Sequence, residues 1–301
     1  MRGPAELPPA HTWLPLVDRA IDEDLGPGDV SSTLVIDAAR HGAAVIEARE
    51  PLVVCGLDVA RAVFTRLDPD VAFERCAAEG EHLRRPGVIA RVRGSLRALL
   101  AAERSALNFL MRMCGVASQT RRFVEAVAGT DALILDTRKT LPGWRTLDKY
   151  ATAVGGAHNH RSGLYDGILL KDNHVALAGG VAQAVKSARA GRLDHLRLQV
   201  EVESLADALA AVEAGADSLL LDNMSLDAIG TVVERLGERV LLEVSGGVRL
   251  ENVRRIAETG VHRISIGALT HSAPAADVAL EIDLGGGGSP SRGPAAGGSA
   301  A

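Results

Sequence analysis

Apolar and polar positions divide the chain into two rhythms. In the first third, Trp13, Leu16, Val17, Ile21 and Leu25 recur at helical spacing and predict a helix over 12–25, which Gly26-Pro27-Gly28 ends. Short runs of strand character follow at 44–48, 52–55, 71–77 and 88–92, with a helical stretch at 59–67 between the second and third. This pattern predicts a small α+β domain, a sheet with helices to one side. Helical spacing returns from Leu96 to about Met113; Gly115 interrupts it, and 116–127 reads as a further helix. The domain boundary is placed near Gly115.

From 132 onward the rhythm changes. Apolar runs at 132–135, 168–170, 198–202, 218–221, 240–244 and 263–266 alternate with helical stretches near 180–190, 204–214, 225–236 and 250–259. Continuous apolar strands alternating with helices mean a parallel sheet covered by helices. The runs end in Asp136, Lys171, Asp222, Ser245 and Gly267, with Glu201 near the end of its own. Chemistry-bearing residues at successive carboxyl ends are the habit of an α/β barrel, whereas a doubly wound sheet keeps its site at one switch point. Six or seven such runs, fewer than the eight of a standard barrel, predict an incomplete barrel. The expected organisation is 1–115 as an N-terminal α/β sandwich and 116–272 as the barrel. Residues 273–284 are free to pack back on the first domain, and the Gly/Ser/Pro-rich 285–301 is expected to be disordered.

The 301 residues are 47% hydrophobic and 24% charged, ample for a buried core. A net charge of −5 excludes an overall basic footprint for nucleic acid, and 3% aromatics argues against base-stacking platforms. Cys55, Cys76 and Cys114 fit no zinc spacing and suggest reduced thiols. No apolar run reaches the ~20 residues a membrane helix needs, and the N-terminus lacks an apolar signal core. The reading is a soluble, cytoplasmic protein.

Against that acidic background, 136–174 is locally basic. Arg138 and Lys139 follow one apolar run, Lys171 follows the next, and His160 and Arg161 lie between, flanked by Gly155-Gly156 and Gly163. Basic residues after a strand often face only solvent. Several on one loop system, with Pro142-Gly143 defining the turn, favour an anion held by Arg forks and Lys point charges. Lys171 is open to two readings, an anion ligand or the partner of Asp172 or a barrel carboxylate. Glu201 and Asp222 can stabilise a developing positive charge, hold Mg²⁺ through waters, or serve as counter-ions. Ser245-Gly246-Gly247 and Gly267 follow late strands, where glycine loops often cradle phosphate. His158 with His160 can also be read as a metal pair, which would make the protein a metal-dependent hydrolase holding zinc.

Taken in order, the motifs resemble the quinolinate phosphoribosyltransferase family from about Glu23 to Asp283. The carriers are Glu23-Asp24-Leu25-Gly26 with Gly28-Asp29, Glu103-Arg104 with Ala106-Leu107-Asn108, and Asp136-Thr137-Arg138-Lys139-Thr140 with Pro142-Gly143. Lys149-Tyr150, Gly155-Gly156, His160-Arg161, Lys171-Asp172-Asn173-His174, Leu221-Asp222-Asn223, Ser245-Gly246-Gly247 and Gly267 with Leu269-Thr270 complete them. One run, Cys114-Gly115-Val116-Ala117-Ser118, departs conservatively from the family pattern. The resemblance implies a type II phosphoribosyltransferase fold and a homodimer or assembly of dimers, with Arg104 reaching into the partner's site. It implies that quinolinate and phosphoribosyl pyrophosphate give nicotinate mononucleotide, pyrophosphate and CO₂, with Mg²⁺ as cofactor near Glu201 and Asp222. Catalytic roles would fall to Lys139, Lys171, Glu201 and Asp222. Arg138, Thr140, His160 and Arg161 would join them in binding the carboxylates and nearby phosphate. Ser245, Gly246, Gly247, Gly267 and His271 would take the 5′-phosphate. The alternatives are a related pyrophosphorylase-like protein with another substrate and a non-catalytic anion-binding barrel.

Overall fold

The computed structural model describes residues 5–283 apart from 192 and 194, so the expected tail lies outside the described residues. The first unit opens with α1 (Leu14–Leu25) and α2 (Val30–Val35), followed by β1 (His41–Ala48), β2 (Leu52–Val53) and α3 (Leu57–Leu67). Then come β3 (Ala72–Arg75), β4 (His82–Leu83), β5 (Gly87–Ser95) and α4 (Leu96–Ala126). The barrel half runs β6 (Leu133–Leu135), α5 (Arg145–Val154), β7 (Ile168–Leu170), α6 (Asp172–Ala178), α7 (Val181–Ala190) and β8 (Leu198–Val202). It continues through α8 (Leu205–Glu213), β9 (Ser218–Asp222), α9 (Leu226–Leu236), β10 (Leu241–Ser245), α10 (Leu250–Ala257), β11 (Arg263–Ser265) and α11 (Ala268–His271), and the chain returns in β12 (Val278–Asp283).

Four antiparallel strands in the order β12-β1-β5-β3 form the first sheet. Ala44, Ile46 and Ala48 of β1 alternate inward, and with Phe64 of α3 and Leu99, Phe109 and Leu110 of α4 they build one core. The second sheet is parallel, in the order β6-β11-β10-β9-β8-β7. Its end strands β6 and β7 do not pair; instead a single parallel bridge sets His158 beside Leu135, with the His158 amide donating to Ile134 O at 2.8 Å. The expected six- or seven-stranded incomplete barrel is therefore six strands plus this one-residue stub. No helix among the described residues is long and apolar enough to cross a membrane.

Gly115 does not interrupt the helix. α4 is one element of 31 residues, about 46 Å at the helical rise, and it passes through both cores. The glycine is there for packing, because a Cβ on it would fall 2.0 Å from Pro274 O, where the chain crosses back toward β12. Ala276 N, donating to Met111 O at 2.9 Å, fastens that crossing. Gly115→Ala is expected to destabilise the protein by about 1–3 kcal/mol through overpacking, despite alanine's better helix propensity. Gly230 of α9 has nothing within 4 Å of its missing Cβ. Gly230→Ala is expected to stabilise by up to about 1 kcal/mol. Urea denaturation of the two variants measures both signs.

Candidate active site

Strand alternation sorts the barrel into two faces. Register aligns Glu201 with Leu220, Leu220 with Glu243, Glu243 with Arg263, and Asp222 with Ser245, so these side chains share the inner face. The intervening Val200, Val202, Leu219, Leu221, Leu242, Val244 and Ile264 pack outward under the helices. At the carboxyl ends of the strands the inner face opens into a cavity of about 510 Å³. Its wall includes Arg138, Lys139, His160, Arg161, Lys171, Asp222, Ser245, Gly246 and Gly247, nine of the residues singled out from sequence. Glu201 joins through Lys171, whose Nζ donates to its Oε2 at 3.1 Å. Within the protein, then, the partner of Lys171 is the barrel carboxylate Glu201 and not Asp172, while Lys171 itself lines the cavity.

Other predicted residues lie outside this wall. Thr140 serves the loop, its Oγ1 accepting from Arg145 Nε at 3.2 Å. Gly267 sits under Lys139, whose Cδ would be 2.9 Å from an added Cβ; the His271 ring abuts the same glycine. Arg104 is exposed on α4 and does not line the pocket of its own chain. His160 directs both ring nitrogens at protein. Nδ1 accepts the Arg161 amide at 2.7 Å, and Nε2 lies 3.1 Å from Gln199 Oε1 and 3.3 Å from Glu243 Oε1. Sequence reasoning missed Gln199 and Ser265, and gave no role to Asn223 or to the cavity-lining Glu243.

Charge in the cavity is unbalanced. Among the described residues no carboxylate lies within 4 Å of Arg138, Lys139 or Arg161. Burial, and then the positive charge of Arg138, pull the Arg161 guanidinium below its ordinary pKa. A polyanionic ligand relieves that repulsion. Opposite stands Asp222, held by Ser245 Oγ on Oδ1 and by Asn223 Nδ2 on Oδ2, both at 2.7 Å. Asn223 has φ +52°, and a Cβ on Gly246 would fall 2.2 Å from Asn223 Oδ1. Glycine is therefore required at 246. A wider hollow of about 810 Å³ between α1 and α3 shows no such imbalance, since its Arg61 and Arg66 pair with Asp58 and Asp18 at 3.2 and 2.8 Å.

The loops carrying the cations are fixed from below by a fully buried carboxylate. Asp136 accepts from Lys149 Nζ at 2.6 Å, the His160 amide at 2.7 Å, Asn159 Nδ2 at 2.6 Å and Thr152 Oγ1 at 3.2 Å. Lys149 Nζ also donates to His160 O at 2.9 Å. A second buried carboxylate, Asp148, meets Arg112 of α4 in a bidentate pair at 3.0 and 2.9 Å; the same guanidinium reaches Thr270 O. Arg145 ties the two loops together through Ser162 O at 3.0 Å and Thr140.

No group of three or more His, Cys, Asp and Glu suited to a bare metal ion occurs among the described residues. The His158 backbone belongs to the stub beside β6, and the His160 ring to Gln199 and Glu243. Mg²⁺ makes a different demand, one or two carboxylates with waters and substrate phosphates, and Asp222 with Glu201 on adjacent strands fits it.

An incomplete α/β barrel that gathers unneutralised cations and two carboxylates at its strand ends defines an enzyme of small polyanionic substrates. The comparisons identify which kind. Residues 116–281 match the family model for the quinolinate phosphoribosyl transferase C-terminal domain, and 29–114 that for the N-terminal domain. A probable nicotinate-nucleotide pyrophosphorylase [carboxylating] of Synechocystis sp. is 38% identical, over 92% of this chain and 94% of its own. Its Bacillus subtilis counterpart is 36% identical, over 87% and 90%. The structure of the nicotinate-nucleotide pyrophosphorylase from Francisella tularensis superposes with a TM-score of 0.89 at 34% identity, covering 94% of this chain and all of that one. The chain belongs to the quinolinate phosphoribosyltransferase family.

Removing the Asp136 carboxylate would leave Lys149 buried without a counter-charge. Asp136→Ala is expected to cost about 3–5 kcal/mol. Chemical denaturation of the variant, with wild-type protein alongside, checks this.

Proposed function

We propose that this chain transfers the phosphoribosyl group of phosphoribosyl pyrophosphate to the ring nitrogen of quinolinate, releasing pyrophosphate and CO₂ and giving nicotinate mononucleotide for NAD biosynthesis. One observation carries the reading within the family: Arg138, Lys139 and Arg161, with no carboxylate within 4 Å among the described residues, line a single cavity with Asp222. Quinolinate brings two carboxylates to the cationic side, where Arg138 and Arg161 can grip them by paired N–H donors and Lys171 and Lys139 by point charge. Asp222 and Glu201 take the ribose, and Ser245, Gly246 and Gly247 the 5′-phosphate.

Chemistry then follows from placement. The C1–oxygen bond to pyrophosphate breaks with its electron pair on oxygen, leaving positive charge on the sugar. Asp222, already oriented by Ser245 and Asn223, stabilises that charge without reorganising. The pyridine nitrogen, held in line by the gripped carboxylates, forms the new bond to C1. Its lone pair spent, the ring is a pyridinium. It accepts the electron pair left when the adjacent carboxylate departs as CO₂, and the resulting carbanion takes up a proton. No enzyme base is needed for that step. Asp222 and Glu201 would hold Mg²⁺ through waters, and the ion would supply neutralising charge for the departing pyrophosphate. Arg104, exposed and outside its own pocket, supports a homodimer in which it completes the partner's site. Three unbridged cysteines are in keeping with a reducing cytoplasm.

Incubation with quinolinate, phosphoribosyl pyrophosphate and Mg²⁺ is expected to yield nicotinate mononucleotide, and EDTA to stop it. Lys139→Ala and Arg161→Ala should keep the wild-type circular dichroism and lose about 100-fold in kcat/KM, the value of one charge-assisted contact in the transition state. Mixing Arg104→Ala with Lys139→Ala chains should restore activity that neither has alone. Full turnover by both the Lys139 and Arg161 variants would overturn the site.

A further inference from the structure

Beneath the cationic wall lies a buried polar chain that the transfer chemistry leaves unused. Glu243 of β10 is 1% exposed, on the inner face of the barrel. Its Oε2 accepts from Gln199 Nε2 at 3.0 Å, while its buried Oε1 makes no hydrogen bond and lies 3.3 Å from His160 Nε2. Gln199 Oε1 faces the same His160 nitrogen at 3.1 Å. On the far side of the ring, Nδ1 accepts the backbone N–H of Arg161 at 2.7 Å.

These contacts leave one proton arrangement. An Nδ1 that accepts from an amide cannot carry a hydrogen, so the ring proton is on Nε2, directed at Gln199 Oε1 with the Glu243 carboxylate beside it. Gln199 can satisfy both neighbours only with its NH₂ toward Glu243 and its oxygen toward the ring. We propose that Glu243 is a positioning residue for quinolinate: with Gln199 it fixes His160 as the Nε2-protonated tautomer, which in turn holds the backbone of Arg161. The inference rests on the substrate reading given above.

The carboxylate matters because it offers two acceptors and no donor. An amide at 243 offers one acceptor. It must therefore set a donor against the Gln199 NH₂ or against His160 Nε2–H. Either conflict favours the other tautomer, whose Nδ1–H would oppose the Arg161 amide. Burial pushes the Glu243 pKa up, but the polar neighbours His160 and Gln199 outweigh it and keep the carboxyl below its ordinary value, consistent with an acceptor-only group.

Because Ser245 is two residues along β10 from Glu243, a purely structural role predicts a different result from a positioning one. If Glu243 merely props β10, Glu243→Gln weakens both substrates. If it acts through His160, the KM for quinolinate rises about tenfold while that for phosphoribosyl pyrophosphate stays within about twofold. ¹⁵N-histidine NMR, assigned with His160→Asn, reads the tautomer without substrate: Nε2–H in the wild type, lost or mixed in Glu243→Gln. If Glu243→Gln does not fold, Gln199→Met, which removes the bridging amide but no charge, must give the same selective rise. A wild-type ring protonated on Nδ1, equal changes in both KM values, or an unchanged quinolinate KM would each overturn the proposal. Absence of quinolinate turnover in the wild type would instead strike the functional reading, and the NMR would still test the tautomer.

Discussion

Guanidinium and ammonium groups at one mouth repel each other, and something other than their mutual preference must keep them there. In this protein it is the Asp136 carboxylate, buried behind the loops and engaged by Lys149, Thr152, Asn159 and the His160 amide. It gathers β6, α5 and the 158–161 segment at one point, so Arg138 on one side and Arg161 on the other cannot swing away. A carboxylate so fully used has no capacity left for substrate. Its position at the head of the basic stretch thus marks support rather than chemistry.

The long helix α4 performs the corresponding task between the two halves. It belongs to the sheet core at one end and to the barrel core at the other. Midway, Arg112 binds Asp148 of α5 and the end of α11. The bottom of the loop frame is therefore tied to an element that the first domain also packs against. Tyr150 of the same α5 donates to Glu79 at 2.9 Å, and Glu79 in turn accepts the Gly56 and Leu57 amides at the start of α3.

Much of this was legible in the sequence, because six apolar strands and the charged residues closing them follow from period and position alone. α5 was not. It does carry an apolar stripe, Leu147, Tyr150, Ala151 and Val154, but the buried polar groups Asp148, Lys149 and Thr152 lie among those positions and break up the pattern; they pair with Arg112 and Asp136. Gly115 misled for the opposite reason. A glycine reads as a break, and only the crossing chain at Pro274 shows that it makes room inside a continuous helix. Gln199 was hidden in an apolar run, and its meaning appears only when its side chain reaches past β9 to donate to Glu243 inside the barrel. β12 pairs with β1, residues more than two hundred positions apart, a partnership that local patterning does not encode.

The inner and outer faces of the barrel strands answer to different demands. Val200, Leu219, Leu221, Val244 and Ile264 hold the shell against its helices, while the residues alternating with them line the cavity or meet one another. Stability and recognition are thus written on opposite sides of the same strands. A lineage can rewrite what the mouth accepts by exchanging inward side chains, and still inherit the shell intact.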